Sequence, residues 1–318
     1  MNIYIKTTEA CNLHCLHCYN PRKNIVADLP ATVPFLKKLA GLPQDKMFIF
    51  HGGEPMMGNN EQMLELVKTF PDIPWRISTN LAYPLTDIRR TLLTHMKQIR
   101  VSFDVGIRFS NIRELLQWYR NVREIAGTSE LFFNICLSKA LLKHSPRQLV
   151  RVLDKLGVKK YAFERITLTG MARQHADIIP RYGDIEEWLL EIYELEKNGE
   201  CACRCTEIEN IRLGIQGHQD QCYGKACCMQ TMTINADGTI GNCPNDATVN
   251  IVGNINDDVG DIIRSVACKG HIPKTECLAC DFFRYCRGGC EQIEWQGDTC
   301  PYFKRLAKKI LEEENGLK

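Results

Sequence analysis

The sequence predicts an α/β fold built on a parallel sheet, followed by a small cysteine-rich C-terminal domain. Two patterns carry this. Over the first two thirds of the chain, short runs rich in β-branched and aromatic residues alternate with amphipathic segments of about ten residues, which is how right-handed βαβ units are written. Beyond residue 200 the alternation stops, and most of the 17 cysteines of the 318-residue chain crowd together. The expected division is a core domain over 1–195 and an auxiliary domain over 196–318.

Taken in order, residues 3–8 form the first strand, 32–39 a helix, 47–50 a second strand running into His51, and 61–69 a helix after a glycine turn. A third strand over 75–79 leads to a helix over 88–96. Strands over 100–103, 131–138 and 161–168 follow, separated by helices over 112–125 and 147–156. A helix over 185–197 closes the core. Farther on, 232–240 reads as a hairpin, because Asn235, Asp237 and Gly238 supply turn chemistry between two strand-like runs. In the last segment Lys304, Arg305, Lys308 and Lys309 precede Glu312, Glu313 and Glu314, which pairs opposite charges four residues apart on a solvated helix face.

Composition narrows the function classes. With 44% hydrophobic residues the chain has ample core for one large domain plus a small one. A formal charge of +2 gives no global basic excess of the kind that marks nucleic-acid binding. No apolar run is long enough to span a bilayer, and the N-terminus enters a strand at once, so neither a membrane anchor nor a signal peptide is expected. Seventeen cysteines without an export signal then point to metal ligation in a reducing cytoplasm.

Cys11, Cys15 and Cys18 lie directly after the first strand as Cys-x3-Cys-x2-Cys, with His14 and His17 between them. Three thiolates on one loop can hold three corners of a cubic iron-sulfur cluster and leave the fourth iron open to a small ligand. The same spacing also suits one face of a helix carrying buried core thiols. The second strand runs straight into Gly52-Gly53-Glu54-Pro55. Glycines there let a backbone approach a ligand closely, and the proline fixes the turn. Alone, such a tetrapeptide is ordinary loop punctuation.

Together the two elements resemble the cluster loop and GGEP element of the radical S-adenosylmethionine (SAM) enzymes. The resemblance implies a partial (β/α)6, TIM-like barrel, with SAM on the open iron of a [4Fe-4S] cluster held by Cys11, Cys15 and Cys18, and with Gly52, Gly53, Glu54 and Pro55 at its methionine end. Ligand sites in barrels lie at the carboxyl ends of the strands, which picks out Ser78, Thr79, Asn80, Ser102, Asp104, Asn134 and Arg165. Of these, Ser102, Asp104 and Asn134 are carried over as SAM contacts, against the plain alternative that polar residues at strand ends cap turns.

The tail reads Cys222-x5-Cys228-x14-Cys243, then Cys277-x2-Cys280-x5-Cys286-x3-Cys290, then Cys300, with Gly238 ahead of Cys243. This resembles the eight-cysteine SPASM domain of radical SAM enzymes. By resemblance, Cys222, Cys228, Cys243 and Cys290 hold one auxiliary [4Fe-4S] cluster and Cys277, Cys280, Cys286 and Cys300 a second. A zinc ribbon is the rival, since tetrahedral zinc also takes four thiolates in a closed site. Cys201, Cys203, Cys205 and Cys227 fall outside the pattern and receive no role, and Cys227 leaves its neighbour Cys228 open by one residue. Cys136 reads as a core thiol and Cys268 as a surface one. Sulfatase-maturing relatives carry an aspartate directly after the third cysteine; here Pro244 stands there and Asp246 follows, which makes Asp246 the candidate base and weakens the sulfatase assignment.

The resemblance implies an oxidoreductase that reductively cleaves SAM to a 5'-deoxyadenosyl radical and oxidatively modifies a peptide or protein side chain, forming a thioether, C–C or C–O cross-link. Formylglycine formation on a sulfatase is the alternative within the class. A non-catalytic iron-sulfur electron carrier or structural zinc protein is the alternative outside it, although neither has use for a SAM pocket. Implied partners are a peptide or protein substrate, an external electron donor of flavodoxin or ferredoxin type and, because the cluster loop begins at residue 11 with no leader-binding domain ahead of it, either a separate leader-peptide-binding protein or another surface for any leader recognition.

Overall fold

The computed structural model describes residues 1–20, 23–217, 230–267, 272–290 and 292–314. The chain divides into two compact units. The first comprises Met1–Ser102, Arg108–Leu131 and the described part of Cys227–Gly270; the second comprises Phe103–Ile107 and the described parts of Phe132–Ala226 and His271–Lys318.

In the first unit β1 (Asn2–Thr8), β2 (Met47–Gly52), β3 (Trp75–Thr79) and β4 (Gln98–Ser102) lie side by side, all parallel. Ile3, Ile5, Phe48, Phe50, Ile77, Ile99 and Val101 are each at most 1% exposed and share one register across the four strands, so they form a single buried apolar face of the sheet. Helices α1 (Leu29–Ala40), α2 (Asn60–Thr69), α3 (Asp87–Thr94) and α4 (Ile112–Ile125) make the crossovers. Asn59 caps α2 through the Gln62 amide, and Asn111 caps α4 through the amides of Arg113 and Glu114. Helix α1 begins three residues ahead of the expected 32, because Pro30 at its first turn fits a helix start.

The hairpin joins this unit. Its strands β8 (Thr231–Ile234) and β9 (Thr239–Gly241) turn at Gly238, which sits at φ +82°, and β8 pairs parallel with β1. Strand β10 (Ile251–Asn254) adds antiparallel to β9.

In the second unit β5 (Leu131–Leu137), β6 (Lys160–Arg165) and β7 (Arg204–Cys205) are parallel. Helix α5 (Lys139–Leu142) and helix α6 (Pro146–Lys155) lie between the first two, α6 opening on a capping box of Ser145 and Gln148. Helix α7 (Tyr182–Lys197) starts ahead of the expected 185, and the terminal helix is Lys304–Glu314. Strand β6 ends at Arg165, short of the expected 168, where Thr167 and Thr169 hydroxyls bond each other instead of continuing a ladder. Helix α8 (Thr206–Ile215) and strand β7 were not expected; the cysteine run masked the helix start that follows it. Among the described residues, no helix is long and apolar enough to cross a membrane.

Candidate functional site

Strand β1 delivers its last residues into the loop that carries Cys11, Cys15 and Cys18. Cys15 is buried and the other two are half-buried. The loop is tied at its ends: Asn20 Nδ2 donates to the Glu9 carbonyl at 3.1 Å, and the Glu9 amide donates to the Ile25 carbonyl at 2.9 Å. Beneath it Lys6 and Glu9 form a buried ion pair at 3.3 Å, with side chains 2% and 3% exposed. His51 closes one flank against Tyr19, whose ring stacks on it at 6.2 Å. Burial, with Lys6 nearby, lowers His51 to about 3, so the imidazole is neutral.

The glycine turn after β2 locks onto this loop, backbone to backbone. Gly53 donates to the Thr8 carbonyl at 2.8 Å and Glu54 to the Ala10 carbonyl at 2.9 Å. Gly52 sits at φ +139°, and a Cβ there would lie 2.1 Å from the Thr8 carbonyl oxygen; one on Gly53 would lie 2.1 Å from that of Ala10. The two glycines are therefore required by the cysteine loop itself, whose backbone leaves no room for a Cβ at either position.

Glu54 is 1% exposed and fully engaged. One carboxylate oxygen accepts from Thr79 Oγ1 at 2.8 Å and from the Met56 amide at 3.2 Å; the other accepts from the Asn80 amide at 2.7 Å. Burial raises its pKa to about 7, against the pull of these donors. Asn80 is the hub: its Nδ2 donates to Asn12 Oδ1 at 2.9 Å and lies 3.8 Å from Cys11 Sγ, while its Oδ1 accepts from Ala82 N at 2.8 Å. The Leu13 amide is 3.4 Å from the same sulfur. Next to Asn80, Leu81 adopts φ +50°, a strained conformation for leucine, and buried Asn121 of α4 holds it by donating to the Leu81 and Tyr83 carbonyls at 2.8 and 2.6 Å. Cys15 Sγ approaches the Arg108 carbonyl at 3.8 Å. Burial, then the Glu54 carboxylate, push the Cys11 thiol up to about 12; a bound metal ion reverses that, because a coordinating thiol is deprotonated outright.

The strand-end residues fare unevenly. Ser102 is the last residue of β4 and Arg165 the last of β6, as expected. Asp104 is 2% exposed, and its Oδ1 accepts the Cys136 amide at 2.6 Å, an anchor for β5. Asn134 is in the middle of β5, not at its end, and donates to Glu164 at 2.6 Å. Pro55 caps the turn, its carbonyl accepting from Thr7 Oγ1 at 2.9 Å.

In the second unit Cys277, Cys280, Cys286 and Cys300 line one recess, together with Arg165 and Lys304. Burial raises Cys277, and pushes Cys286 up to about 11. Burial works against the Lys304 ammonium, but Cys300 and Cys280 facing it raise its pKa overall. The Arg165 guanidinium lies 4.3 Å over the Phe303 ring. Of the other predicted quartet, Cys243 follows β9 and Cys290 follows the short helix Phe283–Cys286, both half-buried, while Cys222 and Cys228 lie outside the described residues, as do Cys227 and Cys268. Asp246 is 9% exposed and accepts from Asn250 Nδ2 at 2.6 Å. Cys201, Cys203 and Cys205 are buried, with Cys205 Sγ 3.4 Å from Glu207, a thiol and carboxyl packed in the core.

These donor sets suit iron-sulfur clusters. Among the described residues no three cysteine sulfurs come within 4.8 Å of one another. Sulfurs sharing one tetrahedral zinc at about 2.3 Å sit roughly 3.8 Å apart, so neither the loop trio nor the recess quartet has zinc spacing.

Residues 4–120 match the family model of the 4Fe-4S single cluster domain. The structure aligns with native anSMEcpe with bound AdoMet and Cp18Cys peptide at a TM-score of 0.79 and 17% identity, covering 98% of this chain and 95% of that one. It aligns with Streptococcus suis SuiB bound to precursor peptide SuiA at a TM-score of 0.66 and 14% identity, covering 92% and 72%. The chain has the radical SAM fold. An uncharacterized protein of Methanocaldococcus jannaschii is 22% identical over 279 residues, 80% of this chain and 89% of its own length. Within the radical SAM fold, sequence reasoning gave little weight to Asn80 and none to Asn12, Asn121 or Lys304. The signal for Asn80 was its place directly after β3; the others make contacts that no local pattern announces.

Proposed function

We propose that the protein is a radical SAM enzyme that modifies a peptide or protein side chain. The observation that carries the reading is the backbone lock between the glycine turn and the Cys11/Cys15/Cys18 loop, since it gives two segments far apart in sequence a single rigid arrangement around the thiols. Those cysteines would hold a [4Fe-4S] cluster with SAM at its open iron, and the cluster, reduced by an external donor, would supply the one electron needed to cleave the SAM carbon–sulfur bond. The chain's own residues hold the thiols in place: Asn80 and the Leu13 amide point hydrogens at Cys11, and Gly52 and Gly53 admit the loop backbone. Glu54 faces inward and orients Asn80, which makes it a positioning group. Ser102, Asp104 and Asn134 remain the proposed SAM contacts.

The recess of Cys277, Cys280, Cys286 and Cys300 suits one auxiliary cluster, with Arg165 and Lys304 as cations beside it. Positive charge near a cluster raises its reduction potential, which suits a centre that would accept one electron from the substrate radical as that radical is oxidised to product. The second auxiliary cluster on Cys222, Cys228, Cys243 and Cys290, Asp246 as base, the division at residue 195 and a cytoplasmic setting belong to the same proposal. Peptide modification is favoured because two similar folds are described with peptides bound, the Cp18Cys peptide and the precursor peptide SuiA. An electron donor and a leader-binding protein complete the proposed partners. The test is anaerobic incubation of reconstituted protein with SAM and dithionite. We expect 5'-deoxyadenosine and methionine in equal amounts; their absence overturns the reading.

A further inference from the structure

Helix α4 has two apolar faces, and only one is used. Trp118, Asn121, Val122 and Ile125 are buried. Ile112, Leu115, Leu116 and Tyr119 form a second stripe at i, i+3, i+4 and i+7, exposed by 63%, 37%, 45% and 48%. Contiguous exposed apolar surface of this kind marks an interaction site.

The charges around the stripe say what it meets. Arg113, Arg120 and Arg123 are exposed on the same helix, and among the described residues none has a carboxylate partner. The two acids of α4 are occupied: Glu114 accepts from Ser110 N and Asn111 Nδ2, and Glu124 pairs with Arg90 at 2.7 Å. A second copy docking through this face by two-fold symmetry would bring the same three arginines into the interface from both sides, with no free acid of α4 to meet them. An acidic partner neutralises them.

The helix is also wired to the cluster loop from both ends. Arg108, whose carbonyl takes Cys15 Sγ, lies four residues before Ile112, a chain distance of no more than about 14 Å. Phe109 packs on Trp118 with ring centroids 5.9 Å apart, and Asn121 holds the turn whose Asn80 faces Cys11. We propose that the outer face of α4 docks an acidic one-electron carrier protein of flavodoxin or ferredoxin class, which reduces the centre on Cys11, Cys15 and Cys18. One electron leaves the carrier's reduced cofactor and arrives at the cluster; no atom or proton is transferred. A stripe of four side chains suits a transient redox encounter, which buries little surface. The proposal rests on the function inferred above.

The test uses the full-length reconstituted enzyme with a purified acidic flavodoxin, a purified acidic ferredoxin, and dithionite as three separate reductants. In the triple variant R113E/R120E/R123E we expect carrier-driven cluster reduction to slow at least tenfold at low ionic strength and to lose its salt dependence, with dithionite-driven 5'-deoxyadenosine formation unchanged. The arginine-to-lysine triple variant should keep most of the carrier rate. An unchanged carrier rate in the charge-reversed protein overturns the docking site. A wild-type dimer in sedimentation that Leu116→Glu converts to monomer also overturns it, by giving the stripe to a second copy. Failure of the dithionite arm in the wild type strikes the function instead, so the two failures are distinct.

Discussion

Asn80 joins more of the site than any residue the motifs name. It touches Asn12, faces Cys11 and takes its own backbone orientation from Glu54. Outer-shell donors to metal ligands typically carry about 10–100-fold in affinity or activity, so Asn80→Ala should slow dithionite-driven SAM cleavage by about that factor and lower the potential of the N-terminal cluster in an EPR titration, with the fold intact. Gly53→Ala places a methyl group 2.1 Å from the Ala10 carbonyl oxygen. It should cost about 1–3 kcal/mol in denaturant unfolding and weaken iron retention, because only a shift of the cluster loop relieves the clash. The three loop cysteines and the glycine turn were legible in the sequence because a motif writes them at fixed spacing. Asn121 was not, since it acts across the unit on the strained Leu81 backbone. Asn134 was misplaced although the strand itself was read to within a residue: it is the fourth of seven residues in β5, with three more before the carboxyl end at Leu137.

The strand-helix alternation was readable because buried parallel strands and amphipathic crossovers differ in period, and the strands appear within a few residues of expectation. Boundaries moved where a cap or a proline decided them, as at the capping box of α6. Helix α8 and strand β7 were hidden inside the cysteine run, and their junction holds Glu207. That carboxylate is buried, accepts from the Phe163 amide at 2.8 Å, and is raised by burial from 4.5 to about 7. Its folded pKa exceeds its unfolded one, so its protonated form is the favoured one in the fold. The stability it contributes is complete below about pH 4.5 and is lost as pH rises through 7. Glu207→Gln should therefore match the wild type in denaturant midpoint near pH 5 and exceed it near pH 8. A variant that is less stable at pH 8 would contradict this account of the α8 junction.

Taken as a molecule, the chain carries a loop of three cysteines in one unit and a recess of four further cysteines in the other. Three [4Fe-4S] clusters require about twelve irons per chain, whereas the N-terminal cluster alone requires about four. The quadruple variant with Cys277, Cys280, Cys286 and Cys300 changed to alanine should lose about four irons and keep uncoupled SAM cleavage, since the first cluster is bound independently. Spacing made the cysteines visible from sequence, but the cations beside them were not, because Arg165 and Lys304 come from a strand end and a terminal helix. The central claim is that one iron of the Cys11/Cys15/Cys18 cluster has no protein ligand and binds SAM. Anaerobically reduced protein mixed with SAM carrying 15N at its amino group should show a hyperfine coupling from that nitrogen to the cluster's EPR signal, lost in Cys15→Ala. A reduced, fully loaded N-terminal cluster whose spectrum is unchanged by SAM would contradict it.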